Sequence, residues 1–144
     1  VARLPEVLAA ITDPNERELV FRAYEVSSKA YAPSSKFHVG AAVRTTNGVY
    51  VGCNVENASY GLTSCAERNA VFAAVAAEGD GIEIEAVAVY ARSPGKKVKT
   101  ASPCGACRQV LAEFGRDAIV TFLKGGRFAS MTVDALLPEA FQLY

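Results

Sequence analysis

The chain has no tryptophan, one methionine and one histidine, His38, and its fifteen basic and fifteen acidic side chains cancel to a formal charge of zero. A surface that follows a phosphate backbone carries a basic excess, so nucleic acid is not an expected partner. Long hydrophobic runs are also missing. The longest, Ala70 to Ala77, has eight residues, against the roughly 20 needed to span a bilayer, so no membrane partner is expected. Residues Val1 to Glu6 lack a charged-then-apolar leader, and a cytoplasmic location is the expectation. Linkers, repeats and low-complexity tracts are absent too. With 144 residues, 51% of them hydrophobic and 21% charged, the chain is expected to form a single domain over residues 1–144 with a substantial core.

What the sequence does contain is four cysteines, Cys53, Cys65, Cys104 and Cys107. In a reducing compartment these point to metal binding or catalysis before disulfides. Apolar residues recur at helical spacing from Asn15 to Ala30, with Asp13 as N-cap and Pro14 at the first helical position. Two valine-rich strands follow, His38 to Thr46 and Val49 to Val55, around Asn47-Gly48. That pair favours a tight turn with positive φ at both central residues. Ser64 to Glu78 is apolar on nearly every side and predicts a buried helix. Ile82 to Ala91 predicts a central strand, Pro103 to Phe114 a helix and Ile119 to Leu123 a strand. Gly125-Gly126 then turns the chain into an edge strand, Arg127 to Val133, and a last helix covers Asp134 to Phe141. The alternation implies parallel pairing at the centre and an α/β fold, a three-layer α/β/α sandwich on a mixed five-stranded sheet.

The chemistry concentrates in two clusters, Thr63 to Arg68 and Ser102 to Arg108, both at expected helix N-termini. Cys104 and Cys107, three apart on a first turn, bring their thiols to one side, and Cys65 can supply a third thiolate. Helix N-termini favour the ligating thiolate form. Three sulfurs with no evident fourth ligand match a catalytic zinc with one open position. Three thiolates on Zn²⁺ leave a net charge of about −1, which the helix N-termini, roughly +0.5 each, offset. Arg68 and Arg108 are placed to add to that compensation. Glu67 has two readings. It can move protons at the metal site, or close a capping box in Ser64-Cys65-Ala66-Glu67. On an ideal helix it points about 200° away from Cys65, which argues against a shared ligand role.

Cys65-Ala66-Glu67 followed by Pro103-Cys104-Gly105-Ala106-Cys107 resembles the zinc-deaminase signature. Phe37 to Ala42, Asn54 to Gly61 and Cys107 to Leu111 extend the resemblance to free-nucleoside cytidine deaminases of the small homotetrameric type, over essentially the whole chain. Cysteine as first ligand, where many relatives carry histidine, fits that branch. The resemblance implies hydrolytic deamination at C4 of cytidine and 2′-deoxycytidine in pyrimidine salvage, with one zinc per subunit held by Cys65, Cys104 and Cys107. Glu67 would transfer protons, and Arg68 would offset thiolate charge. Asn54 and Glu56 would bind the ribose hydroxyls, Phe37 would pack on the pyrimidine, and Ala66 and Ser102 would read the base edge. Tyr60 and Phe141 would be lent to a neighbouring subunit. A structural zinc module closed by Cys53 and a thiol–disulfide redox protein are the competing classes. Deamination of another amino-heterocycle is the rival within the chemistry. Cys53 and His38 are expected to stay away from the metal.

Overall fold

The computed structural model describes residues 4–144. Among the described residues five helices and five strands follow one another: α1 (Leu4–Ala9), α2 (Pro14–Ser27), β1 (His38–Thr45), β2 (Val49–Cys53), α3 (Ala66–Glu78), β3 (Ile84–Arg92), α4 (Gly105–Phe114), β4 (Ile119–Lys124), β5 (Arg127–Thr132) and α5 (Val133–Leu136). A 3₁₀ turn, Tyr60–Leu62, lies between β2 and α3. The sheet runs β2-β1-β3-β4-β5. Only the β3–β4 pair is parallel, and the others are antiparallel. The expected α/β sandwich on a mixed five-stranded sheet is present, with α1 as an additional helix.

Strand alternation divides the core in two. Ala41, Val43, Val87, Val89, Val120 and Phe122 face α3 and α4, whereas Ala42 and Ala88 face α2 through Leu19, Val20 and Ala23. Two glycines set how closely the helices approach. A Cβ on Gly40 would lie 1.9 Å from the Ala23 carbonyl oxygen of α2. On the opposite face, one on Gly52 would lie 2.4 Å from the Ala70 nitrogen of α3 and 2.6 Å from the Ala66 carbonyl oxygen. Only glycine allows these backbones to touch, and the Gly52 contact holds the N-terminal half of α3 against β2.

Several boundaries depart from the expected ones. α2 ends at Ser27 rather than Ala30, and its Asp13 cap accepts from the Asn15 and Glu16 amides. Neither Asn47 nor Gly48 has positive φ. The Thr45 hydroxyl instead accepts from both of their amides and donates to Glu78 at 2.7 Å, so a side chain shapes that turn. Positive φ at two central residues occurs at Gly125 and Gly126, between β4 and β5. β2 stops at Cys53, two residues early, because Asn54 substitutes its side chain for the ladder: Oδ1 accepts from the Val39 amide and Nδ2 donates to the Phe37 carbonyl, both at 2.8 Å. The last helix ends at Leu136 instead of Phe141, since Pro138 disfavours helical geometry at the residue before it. α3 is not buried on every side: Phe72 is 52% exposed and Ala73, Ala76 and Ala77 lie on the same outer surface. The sheet covers one side of that helix, and nothing in the described residues covers the other.

Gly52→Ala is expected to cost roughly 1–3 kcal/mol, the usual range for overpacking, and to lower the thermal midpoint by several degrees. The same substitution should loosen the start of α3. Calorimetry together with metal content reads both effects, and an unchanged midpoint would contradict the close-approach account.

Candidate metal centre and substrate cleft

Cys65 and Cys104 are the N-cap residues of α3 and α4, and neither side chain bonds to its own helix end. Both thiols are therefore free to turn toward one another. The Sγ atoms of Cys65 and Cys104 lie 4.0 Å apart, those of Cys104 and Cys107 3.5 Å apart, and all three lie within 4.8 Å. Thiolates at ~2.3 Å on a tetrahedral ion sit about 3.8 Å from one another, so the three sulfurs fit one zinc ion. Cys53 stands outside the cluster, as expected, and His38 is not part of it either.

The three thiols do not ionise with equal ease. Cys65 is drawn down to about 5, first by the facing Cys107 thiol and then by Arg68, whose Nη2 donates to Cys65 Sγ at 3.2 Å. Cys107, fully buried, is pushed up by the ionised Cys65 beside it and by burial. One thiolate forms readily and a second is held back, an arrangement that a divalent ion completes by displacing the proton. Arg108 does not join in. Its guanidinium clamps two backbone carbonyls, Pro103 and Leu136, at 2.7 Å each. That corrects the expectation that it offsets thiolate charge.

Glu67 is 5% exposed, and the Cys107 thiol faces its Oε2 at 3.6 Å. Burial raises its pKa. The capping-box alternative fails, because the N-cap is Cys65 and the Ser64 hydroxyl donates to Asn69 Oδ1 instead. The 200° separation also lapses. Cys65 lies just outside the helix, so its thiol and the Glu67 carboxylate open into the same cleft.

That cleft has a volume of about 270 Å³. Cys65, Cys104 and Glu67 lie at its metal end, and Phe37, Asn54, Glu56, Ala66 and Ser102 complete the expected lining. Asn54 holds the Phe37 and Val39 backbone with its amide, which leaves one N–H and one lone pair for a ligand. Glu56 Oε1 accepts from the Ser34 and Ser35 amides at 2.9 and 3.2 Å, and hydrogen bonding from Ser35 holds its carboxyl below the usual range. Thr63, from the first cluster, also lines the cleft, as do Ser35 and Val89, which the sequence reading does not single out. Strand alternation through Val87 and Val89 carries a signal for the last of these, whereas Ser34 and Ser35 read only as helix breakers.

Tyr60, 77% exposed, borders an adjoining hollow with Ser35, Glu56 and Thr63. Phe141, 72% exposed, lies beyond α4 where Gln109 holds its carbonyl, and does not reach the cleft of its own chain. Among the described residues, a larger hollow of about 510 Å³ beside α1 contains one carboxylate, Glu16. Thr121 and Ser130 already engage it, so that hollow offers no comparable chemistry.

Cys104→Ser is expected to lose most bound zinc, and Cys53→Ala to retain one ion per chain. Atomic absorption on purified protein distinguishes this from a four-thiolate site, in which Cys53→Ala would empty it.

Residues 14–123 match the family model of the cytidine and deoxycytidylate deaminase zinc-binding region. The chain is 44% identical over 128 residues to a cytidine deaminase from Sporosarcina psychrophila, covering 86% of this chain and 89% of the relative. Among solved structures it resembles cytidine deaminase from Burkholderia pseudomallei, with TM-score 0.76 and 46% identity over 86% of this chain and 97% of that one. The Mycobacterium tuberculosis enzyme gives TM-score 0.76 and 38% identity, over 91% of this chain and 100% of its own. The family model over residues 14–123 and the relative at 44% identity, together with three cysteine thiols gathered at two helix starts, place this protein in the cytidine and deoxycytidylate deaminase family.

Proposed function

We propose that the chain hydrolyses cytidine and 2′-deoxycytidine to uridine and 2′-deoxyuridine, releasing ammonia, as a step of pyrimidine salvage. One observation carries this reading: the Glu67 carboxylate faces the three-thiol cluster inside a cleft whose other end presents Asn54 and Glu56. Bound zinc, one per subunit on Cys65, Cys104 and Cys107, supplies a Lewis acid that brings the pKa of water near neutrality. The remaining work falls to this chain's own groups. Glu67 carries one proton from the attacking water to the ring nitrogen and then a second from the new C4 hydroxyl to the amine, so that ammonia leaves as the C4 carbonyl forms. Its burial keeps bulk water from competing for those protons. Arg68 offsets charge on Cys65 through its bond to Sγ.

The cleft lining supports one orientation of the substrate. Phe37 packs on the pyrimidine, and the backbones of Ala66 and Ser102 bond its polar edge. Asn54 and Glu56 together offer a donor and acceptors to a sugar diol. Glu56 arrives with its carboxylate already anchored by two amides, so little side-chain entropy remains to be lost on binding.

The same reading takes residues 1–144 as one domain and the active form as a cytoplasmic homotetramer. Among the described residues, no helix is long and apolar enough to cross a membrane. The outer surface of α3 and the exposed Tyr60, Leu62 and Phe141 support assembly, since apolar area of that kind marks a surface covered by a partner. Tyr60 and Phe141 are then assigned to a neighbouring subunit's site. Sedimentation is expected to give about four times the 15.2 kDa chain mass. A monomer with full activity would refute the assembly.

An ultraviolet assay of cytidine turnover tests the chemistry. Glu67→Gln is expected to lower kcat by about 10²–10⁴-fold with zinc content unchanged. Equal rates would remove Glu67 from the mechanism, and an inactive, zinc-loaded wild type would overturn the substrate.

A further inference from the structure

We infer that Asn69, which neither touches the metal cluster nor lines the cleft, is a positioning residue that locks the sugar-binding strand end to the metal-binding start of α3. The inference rests on the proposed reading of Asn54 and Glu56 as sugar ligands.

After Cys53 the chain leaves the sheet, carries Asn54 and Glu56 past the cleft, makes the 3₁₀ turn and returns at Ser64 to enter α3. Two backbone bonds close this excursion at its base: Val55 donates to Ser64 and Ser64 to Val55, both at 3.0 Å. They fix the two limbs to each other but not to the helix. Asn69 supplies that link. Its Nδ2 donates to the Cys53 carbonyl at 2.7 Å, and its Oδ1 accepts from the Ser64 hydroxyl at 2.7 Å. Its own amide donates to the Cys65 carbonyl at 3.1 Å, inside the first turn of α3. One carboxamide thus bonds the residue before Asn54 and the residue before Cys65.

The residue type follows from this geometry. The position needs a donor and an acceptor on opposite arms of a short planar group, which asparagine has and aspartate, serine or alanine lacks. The short reach depends on Gly52, where a Cβ would come within 2.9 Å of the Asn69 carbonyl carbon. The bonds are partly buried, so losing the amide leaves a carbonyl and a hydroxyl with little compensating water. The strand end can then drift relative to the zinc ligands. Displacement of that kind penalises substrates held by their sugar more than substrates that do not use it.

The test uses the zinc-loaded full chain with Asn69→Ala, and Ser64→Ala as a milder second variant that removes only the hydroxyl arm. Two measurements are made: kcat/KM on cytidine and on 2′,3′-dideoxycytidine, and amide hydrogen exchange at Val55 and Ser64. For Asn69→Ala, kcat/KM on cytidine is expected to fall about tenfold, mainly through KM, against about twofold or less on the dideoxy substrate. Exchange at Val55 and Ser64 should quicken while α2 is unchanged. Ser64→Ala should move both readouts in the same direction by less. Equal losses on the two substrates, or unaltered exchange in both variants, would overturn the inference. Exchange needs no turnover, so if the wild type were inactive on nucleosides the deamination reading would fail and the exchange data alone would decide the role of Asn69.

Discussion

The site depends on one constraint: a cysteine occupies the N-cap of each of two helices and does not cap it. Serine, threonine, aspartate or asparagine at such a position bends its side chain back onto the helix amides. Cys65 and Cys104 make no such bond, so their sulfurs project forward from two helix starts and meet. Each helix brings about half a positive charge to the point where the thiolates gather. Arg68 adds a full one at Cys65. Three thiolates would dampen the acidity of a zinc ion held there, and under the proposed reading these groups would offset part of that charge.

Convergence of two helix starts requires that the helices be held at fixed depth on the sheet. α3 rests backbone to backbone on β2 at Gly52, and α4 follows β3 and leads into β4, its parallel neighbour. Such a crossover brings the helix start to the carboxyl end of the preceding strand, where α/β sheets open their clefts. Asn54 extends this logic beyond the sheet. By bonding to the Phe37 and Val39 backbone with its amide, it carries strand registry one residue further and leaves its remaining donor and acceptor capacity at the cleft.

Which features the sequence revealed follows from the range of the interactions behind them. Cys104 and Cys107 are three residues apart, so local helix geometry alone pairs them, and the place of Cys65 at a second helix start offers the third thiol. The layer order and the central β3 followed from periodicity. Contacts between residues remote in sequence were not legible. The clamping of Glu56 by Ser34 and Ser35 spans more than twenty positions, the Asn69 link to Cys53 spans sixteen, and no local pattern announces either. Arg108 misled for a related reason. Its neighbourhood in sequence is the zinc ligands, but its guanidinium reaches 28 residues on to Leu136.

The misreading of α3 has a different cause. Composition and periodicity register how much of a helix is shielded from water in the working molecule, not which chain provides the shield. A stretch such as Ala70 to Ala77 looks the same whether its second side packs against its own sheet or against another copy. In the single chain Phe72, Ala73, Ala76 and Ala77 face solvent. The same surface logic applies to Tyr60 beside the hollow adjoining Glu56 and to Phe141 at the far side of α4. Both are aromatic and exposed. Under the proposed assembly of identical chains, one set of interfaces would cover the apolar outer face of α3 and give the exposed Tyr60 and Phe141 a partner, so a single explanation would serve all of these residues.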